Sequence, residues 1–386
     1  MRFRILLGVI IILGIILPSA AVAQDSLAVA QTGSTPEIRM SHAMAYDPHN
    51  EVAVMFGGST SDGGYHELSD TWIYSYEENE WTELTLSPHP SARAGHYLVY
   101  CDATNEIIFY GSGTDTWSFS CATQTWSHVV TSVNPGNHFS HGMAYDSDEN
   151  VVVLFGGFGG DDRESDDTWI FNCTTREWFE VYPVDPPLER YGLVMAYDET
   201  VQKVVMTCGN SPQGHLEDTW WYDVSTNTWD EQTTTGARFG LKWPSMVFDS
   251  SIQKCVLFGG QVGQDPVNHT WIYDAQQNSW VRLYPDDAPP GRITGAFTFD
   301  SKNNVSILFG GGGADYIPLG DTWAYTYDTN TWTNMSSVTS STSTTTSSET
   351  TTSETTAGTI PLEIIAIGIT IPLVAVVVLL VVRKRM

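Results

Sequence analysis

Asp70-Thr-Trp72-Ile-Tyr74-Ser-Tyr-Glu-Glu-Asn-Glu-Trp81 is one of six related segments in this chain, and each segment carries a second Trp nine positions after the first. The pairs are Trp72/Trp81, Trp117/Trp126, Trp169/Trp178, Trp220/Trp229, Trp271/Trp280 and Trp323/Trp332. Asp-Thr precedes the first Trp in five copies, and His269-Thr270 precedes it in the other. The first Trp recurs at steps of 45, 52, 51, 51 and 52 residues, a period that indicates a repeat architecture.

One repeat already predicts four short strands. Residues 42–47 alternate and stop at a turn, and residues 52–56 form a continuous apolar run that ends at Gly57-Gly58. Residues 72–76 and 81–84 supply two further aromatic-rich strands around a tight turn. Four antiparallel strands repeated six times are typical of a β-propeller, in which neighbouring blades bury the aromatic rings that one sheet leaves exposed.

The repeated residues resemble the kelch repeat. Gly-Gly stands at 57–58, 156–157, 259–260 and 310–311, whereas two copies depart from it with Gly111-Ser112 and Cys208-Gly209. The resemblance covers residues 38–336 and implies an all-β, six-bladed kelch-type propeller. We expect blades at about 38–85, 91–130, 137–182, 189–232, 238–284 and 291–336.

The sequences on either side of residues 38–336 lack the repeat and have the composition of other kinds of segment. Residues 1–23 have the charged start, short apolar run and small-residue cleavage pattern of a signal peptide, and residues 24–37 form an N-terminal lead. Residues 337–359 are a Ser/Thr-rich tract typical of a glycosylated stalk. Residues 360–382 predict a transmembrane helix, and the basic tail at 383–386 predicts a cytoplasmic C-terminus with the propeller outside the cell.

Net charge, sequons and cysteine positions limit the kinds of partner and modification that the sequence predicts. A net charge of −28 argues against nucleic acid, whose phosphates the chain would repel. Asn-X-Ser/Thr sequons, which fit an extracellular body, place candidate glycosylation sites at Asn172, Asn268, Asn304 and Asn334. The five Cys are scattered rather than arranged as a disulfide framework. Regular blade geometry separates Cys101 from Cys121, and Cys121 from Cys173, so no disulfide is expected to be required for folding.

Candidate ligand-binding residues lie where the resemblance places the loops between second and third strands and the connections between blades, on one face. An Arg recurs there, and Tyr65, Phe158 and Tyr316 stand in the long loops. The recurring residues are Arg39, Arg93, Arg190 and Arg292, with Arg238 displaced from that position by a few residues and His138 in the remaining copy. Such a ring would suit an anionic ligand, or each Arg would bond carbonyls or an Asp of the next blade. Blade 2 has almost no such loop, which predicts one side of a cleft.

His42, His96 and His141 share one repeat position that resembles the His of the kelch consensus. Equivalent points on stacked sheets are about 10 Å apart, too far to share a metal, so no metal site is predicted. We find no nucleophile motif, phosphate loop or zinc spacing, and we predict neither catalytic residues nor a cofactor.

Three functions remain open. The sequence favours a membrane-tethered recognition module on the cell surface that binds a glycan or an extracellular protein through the loops. An extracytoplasmic carbohydrate-active enzyme, oxidase- or epimerase-like, on the same scaffold is the first alternative. A passive envelope component is the second.

Overall fold

The computed structural model describes residues 29–32, 34–61, 64–160, 163–236 and 240–337, and in this part the fold is a six-bladed β-propeller. Each blade is a four-stranded antiparallel sheet whose strands follow one another in the chain, from the innermost to the outermost. The predicted signal peptide, stalk, transmembrane helix and tail lie outside the described residues. Within the described residues, no helix is long and apolar enough to cross a membrane.

The first three blades have strands of similar length. Blade 1 has strands Ala43–Asp47, Val52–Phe56, Thr71–Ser75 and Glu80–Thr85. Blade 2 has strands Tyr97–Cys101, Glu106–Tyr110, Thr116–Ser120 and Thr125–Val129. Blade 3 has strands Gly142–Asp146, Val151–Phe155, Thr168–Asn172 and Glu177–Val181.

The other three blades follow the same plan. Blade 4 has strands Val194–Asp198, Lys203–Thr207, Thr219–Asp223 and Thr228–Glu231. Blade 5 has strands Ser245–Asp249, Lys254–Phe258, Thr270–Asp274 and Ser279–Leu283. Blade 6 has strands Ala296–Asp300, Val305–Gly312, Pro318–Thr326 and Thr331–Asn334.

Small elements decorate the blades. Strand Val29–Thr32, in the segment predicted as a lead, pairs antiparallel with the outermost strand of blade 1. Three loops fold into short ribbons, Ser59–Thr60 with His66–Glu67, Asn210–Ser211 with Gly214–His215, and Gln261–Val262 with Asp265–Pro266. Single 3-10 turns occupy Ala314–Tyr316 and Met335–Ser337.

The hydrophobic core lies between the blades. It divides into six clusters, and each cluster draws its buried side chains from two adjacent blades, including the pair formed by blades 6 and 1. The second strand of every blade is buried along nearly its whole length, as its apolar run predicts. The expectation that neighbouring blades bury the aromatic rings is therefore confirmed.

A closed ring of backbone hydrogen bonds surrounds the central channel. The residue two positions before each innermost strand donates its N–H to the carbonyl of its counterpart in the preceding blade, over N···O distances of 2.7–3.2 Å. The six residues are Ser41, Gly95, Ser140, Gly192, Trp243 and Thr294, and all have φ between 49° and 77°. Since four of the six carry side chains in this left-handed region, the ring holds them against their local preference.

The outer part of each interface is joined by a second ring. The second Trp of every repeat donates its indole N–H to the Thr that directly precedes the first Trp of the preceding blade, over 2.9–3.2 Å. Trp81 of blade 1 donates in this way to Thr322 of blade 6. The last and first blades thus meet through the same bond as every other pair.

Candidate functional site

The loops between second and third strands and the connections between blades share one face, hereafter the loop face. Backbone bridges join them directly, for example Met40 with Ser59, Tyr191 with Asn210, and Ile293 with Gly312. The ribbons and the 3-10 turn of blade 6 stand on this face. Blade 2 contributes only the short segment at 111–114, so the loops of blades 1 and 3 rise on either side of it.

The predicted Arg residues of blades 1, 2, 4 and 6 lie beneath this face rather than on it. Arg39, Arg93, Arg190 and Arg292 are each at most 4% exposed. Each guanidinium makes two bonds to the Asp of its own Asp-Thr-Trp segment and one to the carbonyl of the first residue in the Gly-Gly position. Arg190, for example, bonds Asp218 at 2.7 Å through both terminal nitrogens and the Cys208 carbonyl at 3.2 Å.

Each of these Arg residues also holds the preceding blade through its backbone. The N–H of Arg190 donates to Ser165 O, and its carbonyl accepts from Gly157 N, both in blade 3. The Asp partner therefore lies in the Arg's own blade, not in the next blade as expected, and the backbone makes the contact between blades. The ring lies in the interfaces, and its part in ligand binding stays a prediction.

The same Asp completes the group by accepting a hydrogen bond from the first Trp of its segment. Trp220 Nε1 donates to Asp218 Oδ2 at 2.7 Å, and Trp323 Nε1 donates to Asp321 Oδ2 at 2.6 Å. Burial works to raise the pKa of Asp321, but the bonds from Arg292 and Trp323 outweigh it and hold that pKa below its usual value. The Asp321 carboxylate therefore stays charged and balances the buried Arg292 guanidinium.

Blades 3 and 5 lack this Arg–Asp–Trp group. His138 replaces the Arg in blade 3 and bonds the Gly156 carbonyl through Nδ1 at 2.9 Å. Asp167 is exposed, and Trp169 Nε1 is buried with no partner in the described structure. In blade 5 His269 replaces the Asp, and Arg238 lies outside the described residues.

The three aromatic residues predicted to bind a ligand reach the loop face. Tyr65 is 71% exposed and Tyr316 is 43% exposed, whereas Phe158 is half-buried. Gln261 Nε2 donates to the Tyr316 hydroxyl at 2.8 Å, which ties the loop of blade 6 to that of blade 5. Tyr65 and Phe158 belong to the loops on either side of blade 2.

Phe158 is part of a larger arrangement, here named the aromatic row, which consists of Phe139, Phe158, Tyr191 and Trp243. Ring centroids are 5.3 Å apart between Phe139 and Phe158, 5.6 Å between Phe158 and Tyr191, and 5.9 Å between Tyr191 and Trp243. The row starts beside blade 2, where Phe139 is 39% exposed, and runs over blades 3 to 5. Lys242 Nζ lies 4.4 Å from the Trp243 ring centroid.

Sequence reasoning missed three of these four rings. A signal was present, because Phe139 directly follows His138 and Tyr191 directly follows Arg190, at one repeat position. The equivalent residues in blades 1, 2 and 6 are Met40, Ala94 and Ile293. The row is thus confined to one side of the molecule.

Exposed acidic side chains are spread over the loop face. Each of the five long loops presents at least one exposed carboxylate, and the set comprises Glu67, Asp166, Glu217, Asp265 and Asp315. Arg163 is the only Lys or Arg in the described parts of these loops, and its side chain is exposed. The loop face therefore combines accessible aromatic rings with negative charge, a combination suited to cations as well as apolar groups.

The sequons occupy varied surroundings, and none is tested as a glycosylation site. Asn172 accepts hydrogen bonds from the N–H groups of Thr174 and Thr175 and so caps a turn. Asn268 and Asn304 are exposed, and Asn334 is half-buried. Glycosylation at these positions stays a prediction.

Six four-stranded blades closed into a ring, four of which carry the Arg–Asp–Trp group, define a β-propeller with kelch-type repeats. A family model described as the KLHDC2/KLHL20/DRC7 Kelch-repeats domain matches residues 111–242. The protein is a kelch-repeat β-propeller, as the sequence resemblance indicated.

Curated relatives match parts of the chain. It is 25% identical to the Rab9 effector protein with kelch motifs of Xenopus laevis, over 42% of this chain and 46% of the relative. It is 28% identical to Kelch-like protein 25 of Xenopus tropicalis, over 48% of this chain and 31% of the relative. The human Rab9 effector protein with kelch motifs is 24% identical over 40% of this chain and 44% of its own length. The chain thus spans less than half the length of these relatives.

Proposed function

We propose that this propeller is a protein-recognition module whose loop face binds a basic segment of a partner protein. The observation that carries the proposal is the aromatic row, on a loop face that also presents exposed carboxylates. Aromatic side chains dominate the binding energy of many protein interfaces, and their ring faces attract Lys and Arg cations. The relatives support a protein partner, since one of them is named as an effector of Rab9.

The negative charge of the protein favours a basic segment over a neutral or acidic one. The whole chain carries a net charge of −28, and the long loops each add a carboxylate to the face that bears the row. A basic segment is steered toward such a face and then stacks its cations and their aliphatic stems on the rings. Lys242 above Trp243 already shows this stacking within the chain.

A glycan is the second candidate ligand, and the exposed rings of Tyr65 and Tyr316 favour it. Sugar rings would stack on these two residues and on Phe158 without needing the carboxylates. Turnover of a sugar would indicate an enzyme on the same scaffold. Uniform tolerance to loop substitutions would indicate a passive envelope component.

We also propose the cell-surface location predicted above, with the propeller outside and a single C-terminal helix in the membrane. Its support is the uncharged segment 364–382 followed directly by Arg383-Lys384-Arg385. Protease protection of the full chain in sealed membrane vesicles tests this orientation. In vesicles whose cytoplasmic side faces the lumen, the propeller should be digested without lysis. Digestion of the propeller only after such vesicles are lysed would contradict the proposed orientation.

Binding is tested with the full chain against immobilised peptides of basic, neutral and acidic composition and against a glycan array. We expect saturable binding to basic peptides that contain aromatic or aliphatic residues. Phe139→Ala should raise Kd about tenfold or more, because an aromatic anchor of an interface is worth over about 1.4 kcal/mol. The pair Glu217→Gln with Asp265→Asn should weaken binding and flatten its salt dependence.

Glu149→Gln is the matched control, because Glu149 is an exposed carboxylate in a turn on the opposite face. It should leave Kd unchanged, and melting temperatures should confirm that every variant is folded. Binding to glycans that depends on Tyr65 and Tyr316 and ignores salt would replace the protein partner with a sugar. Equal effects of Glu149→Gln and the loop pair would overturn the loop face as the site.

A further inference from the structure

Blade 5 carries a cation at a position where blades 3 and 4 carry aromatic rings. Lys242 holds the repeat position of Phe139 in blade 3 and Tyr191 in blade 4, and each of the three forms the same backbone bridge to the loop of its own blade. The ring of blade 5 comes one residue later, at Trp243, where the other blades have Ser, Gly or Thr. Lys242 therefore lies at the blade 5 end of the aromatic row, beside the Trp that closes it.

The Lys242 ammonium contacts this ring rather than a carboxylate. Its Nζ lies 4.4 Å from the Trp243 ring centroid. Lys203, Lys254 and Lys302 each form a salt bridge, whereas Lys242 forms none with the residues that the structure describes. The negative ring face of an indole attracts a cation in this position, so the Trp243 end of the row is built to hold an ammonium or guanidinium group.

The Trp243 ring is already covered by the chain itself. The Gly192 backbone lies against its five-membered ring, because a Cβ at Gly192 would come within 2.5–2.7 Å of Cδ1 and Nε1. Tyr191 packs beside it, with 5.9 Å between ring centroids. Since Lys242 lies over the ring, a Lys or Arg of a partner stacks on Trp243 only after Lys242 has moved away.

We propose that Lys242 is an internal competitor of the partner, and that its ammonium occupies the cation site on Trp243 until a Lys or Arg of the partner displaces it. This inference rests on the proposed function, since it gives one cation of the basic segment a place on the aromatic row. Cation–π contacts at exposed sites are weak, so a side chain that brings further contacts along the row displaces the ammonium. An isolated cation brings no such contacts, and Lys242 therefore selects extended basic segments.

The charge of Lys242 also acts beyond the ring. After burial, which is the larger cause, it lowers the pKa of His215 in the short ribbon of blade 4. A displaced Lys242 stays tethered to the row, so its charge still repels the cation that has replaced it. Removal of the charge should therefore strengthen binding by more than the lost contact with Trp243 alone.

The first test measures binding of the basic peptides to the full chain. Lys242→Gln removes the competing charge and keeps a polar side chain, so it should lower Kd about fivefold and steepen the salt dependence. Lys254→Gln is the matched control, because it removes the same charge from blade 5 on the opposite face, where Lys254 is paired with Asp274. This control should leave Kd unchanged, and melting temperatures should show that both variants are folded.

The second test follows the Lys242 side chain directly. Reductive methylation with carbon-13-labelled formaldehyde labels the Lys side chains and preserves their charge. The Lys242 signal, identified by its loss in Lys242→Gln, should be shifted upfield by the ring current of Trp243. The shift should disappear in Trp243→Thr, which copies Thr294 at the same position of blade 6, and in the wild type saturated with a basic peptide.

The two tests separate this inference from the proposed function. An equal or higher Kd in Lys242→Gln, or a Lys242 signal that stays upfield in the saturated complex, would overturn the inference, while binding of basic peptides to the wild type would leave the proposed function standing. If basic peptides bind neither the wild type nor Lys242→Gln, the proposed function and the inference both fail.

Discussion

At the scale of single residues, the Asp-Thr-Trp segment owes its recurrence to three separate bonds. In blade 4 the Asp218 carboxylate neutralises buried Arg190 and accepts from Trp220, while Thr219 accepts from Trp280 of the next blade. Two positions after the first Trp, a Tyr hydroxyl donates to an Asn in the following turn, as Tyr222 does to Asn227. The two blades with Phe at that position, blades 2 and 3, have Gln124 and Arg176 in place of the Asn, so the pair changes together.

The Arg–Asp–Trp group gives a prediction with a control inside the chain. Asp218→Asn leaves the Arg190 guanidinium, which is 0% exposed, without a counter-charge, so it should lower the free energy of unfolding by about 3–5 kcal/mol. Asp167→Asn changes the same repeat position in blade 3, where the Asp is exposed and His138 replaces the Arg. That change should stay within about 0.5 kcal/mol of wild type.

Urea unfolding followed by Trp fluorescence measures both variants. Equal losses of stability would show that the buried charge pair does not stabilise the fold. The same experiment bears on the predicted anion-binding role of the Arg residues. If they stabilise the fold, substitutions at these positions lower the free energy of unfolding and do not weaken ligand binding selectively.

At the scale of strands, the sequence predicted what depends on local pattern. The doubly buried second strands follow from runs such as residues 52–56, and the third and fourth strands follow from the Trp spacing. The channel ring was not predictable, because Ser41, Trp243 and Thr294 share a backbone conformation but no residue type. The aromatic row was missed for a related reason, since it joins residues of different blades and different repeat positions.

A buried His directly precedes the innermost strand of blades 1, 2 and 3, and these residues make the stability depend on pH. His141 is fully buried against the Tyr97 and Tyr110 rings, and burial, aided by His138 and His96, lowers its pKa far below the ordinary value. His42 and His96 are shifted in the same direction by burial. The folded protein therefore holds these three imidazoles neutral while the unfolded chain protonates them below about pH 6.5.

We expect the free energy of unfolding to fall with pH below about 6.5, by about 1.4 kcal/mol per pH unit for each of these histidines. The sign follows from the lowered folded pKa, since the unfolded state binds more protons. His141→Leu, which copies Leu193 at the same position of blade 4, should reduce that slope by about 1.4 kcal/mol per unit between pH 6 and pH 4. His128→Asn, at an exposed position, should leave the slope as it is. An unchanged slope in His141→Leu would contradict the prediction.

At the scale of the whole molecule, the ring closes without a shared strand in the part of the chain that the structure describes. Every blade takes its four strands from one continuous stretch, and blade 6 meets blade 1 through the same elements as any other pair. Arg39 N donates to Leu319 O, Ser41 N donates to Thr294 O, and Trp81 Nε1 donates to Thr322 Oγ1. The ends of the ring are therefore held by side-chain packing and by single bonds rather than by a sheet that both ends build.

Such closure makes the ring cooperative, which a truncation tests. A chain that ends at Pro290 loses blade 6 and with it two of the six core clusters, so blades 1 and 5 each expose a face of buried aliphatic and aromatic side chains. Trp81 also loses its acceptor in Thr322. We expect this chain to show no cooperative thermal transition by circular dichroism, while a chain that ends at Ser340 and keeps all six blades should melt cooperatively. A chain ending at Pro290 that melts as sharply, and at the same temperature, as the six-bladed control would mean that the blades are stable without closure, and the six equivalent interfaces would then be independent rather than one ring.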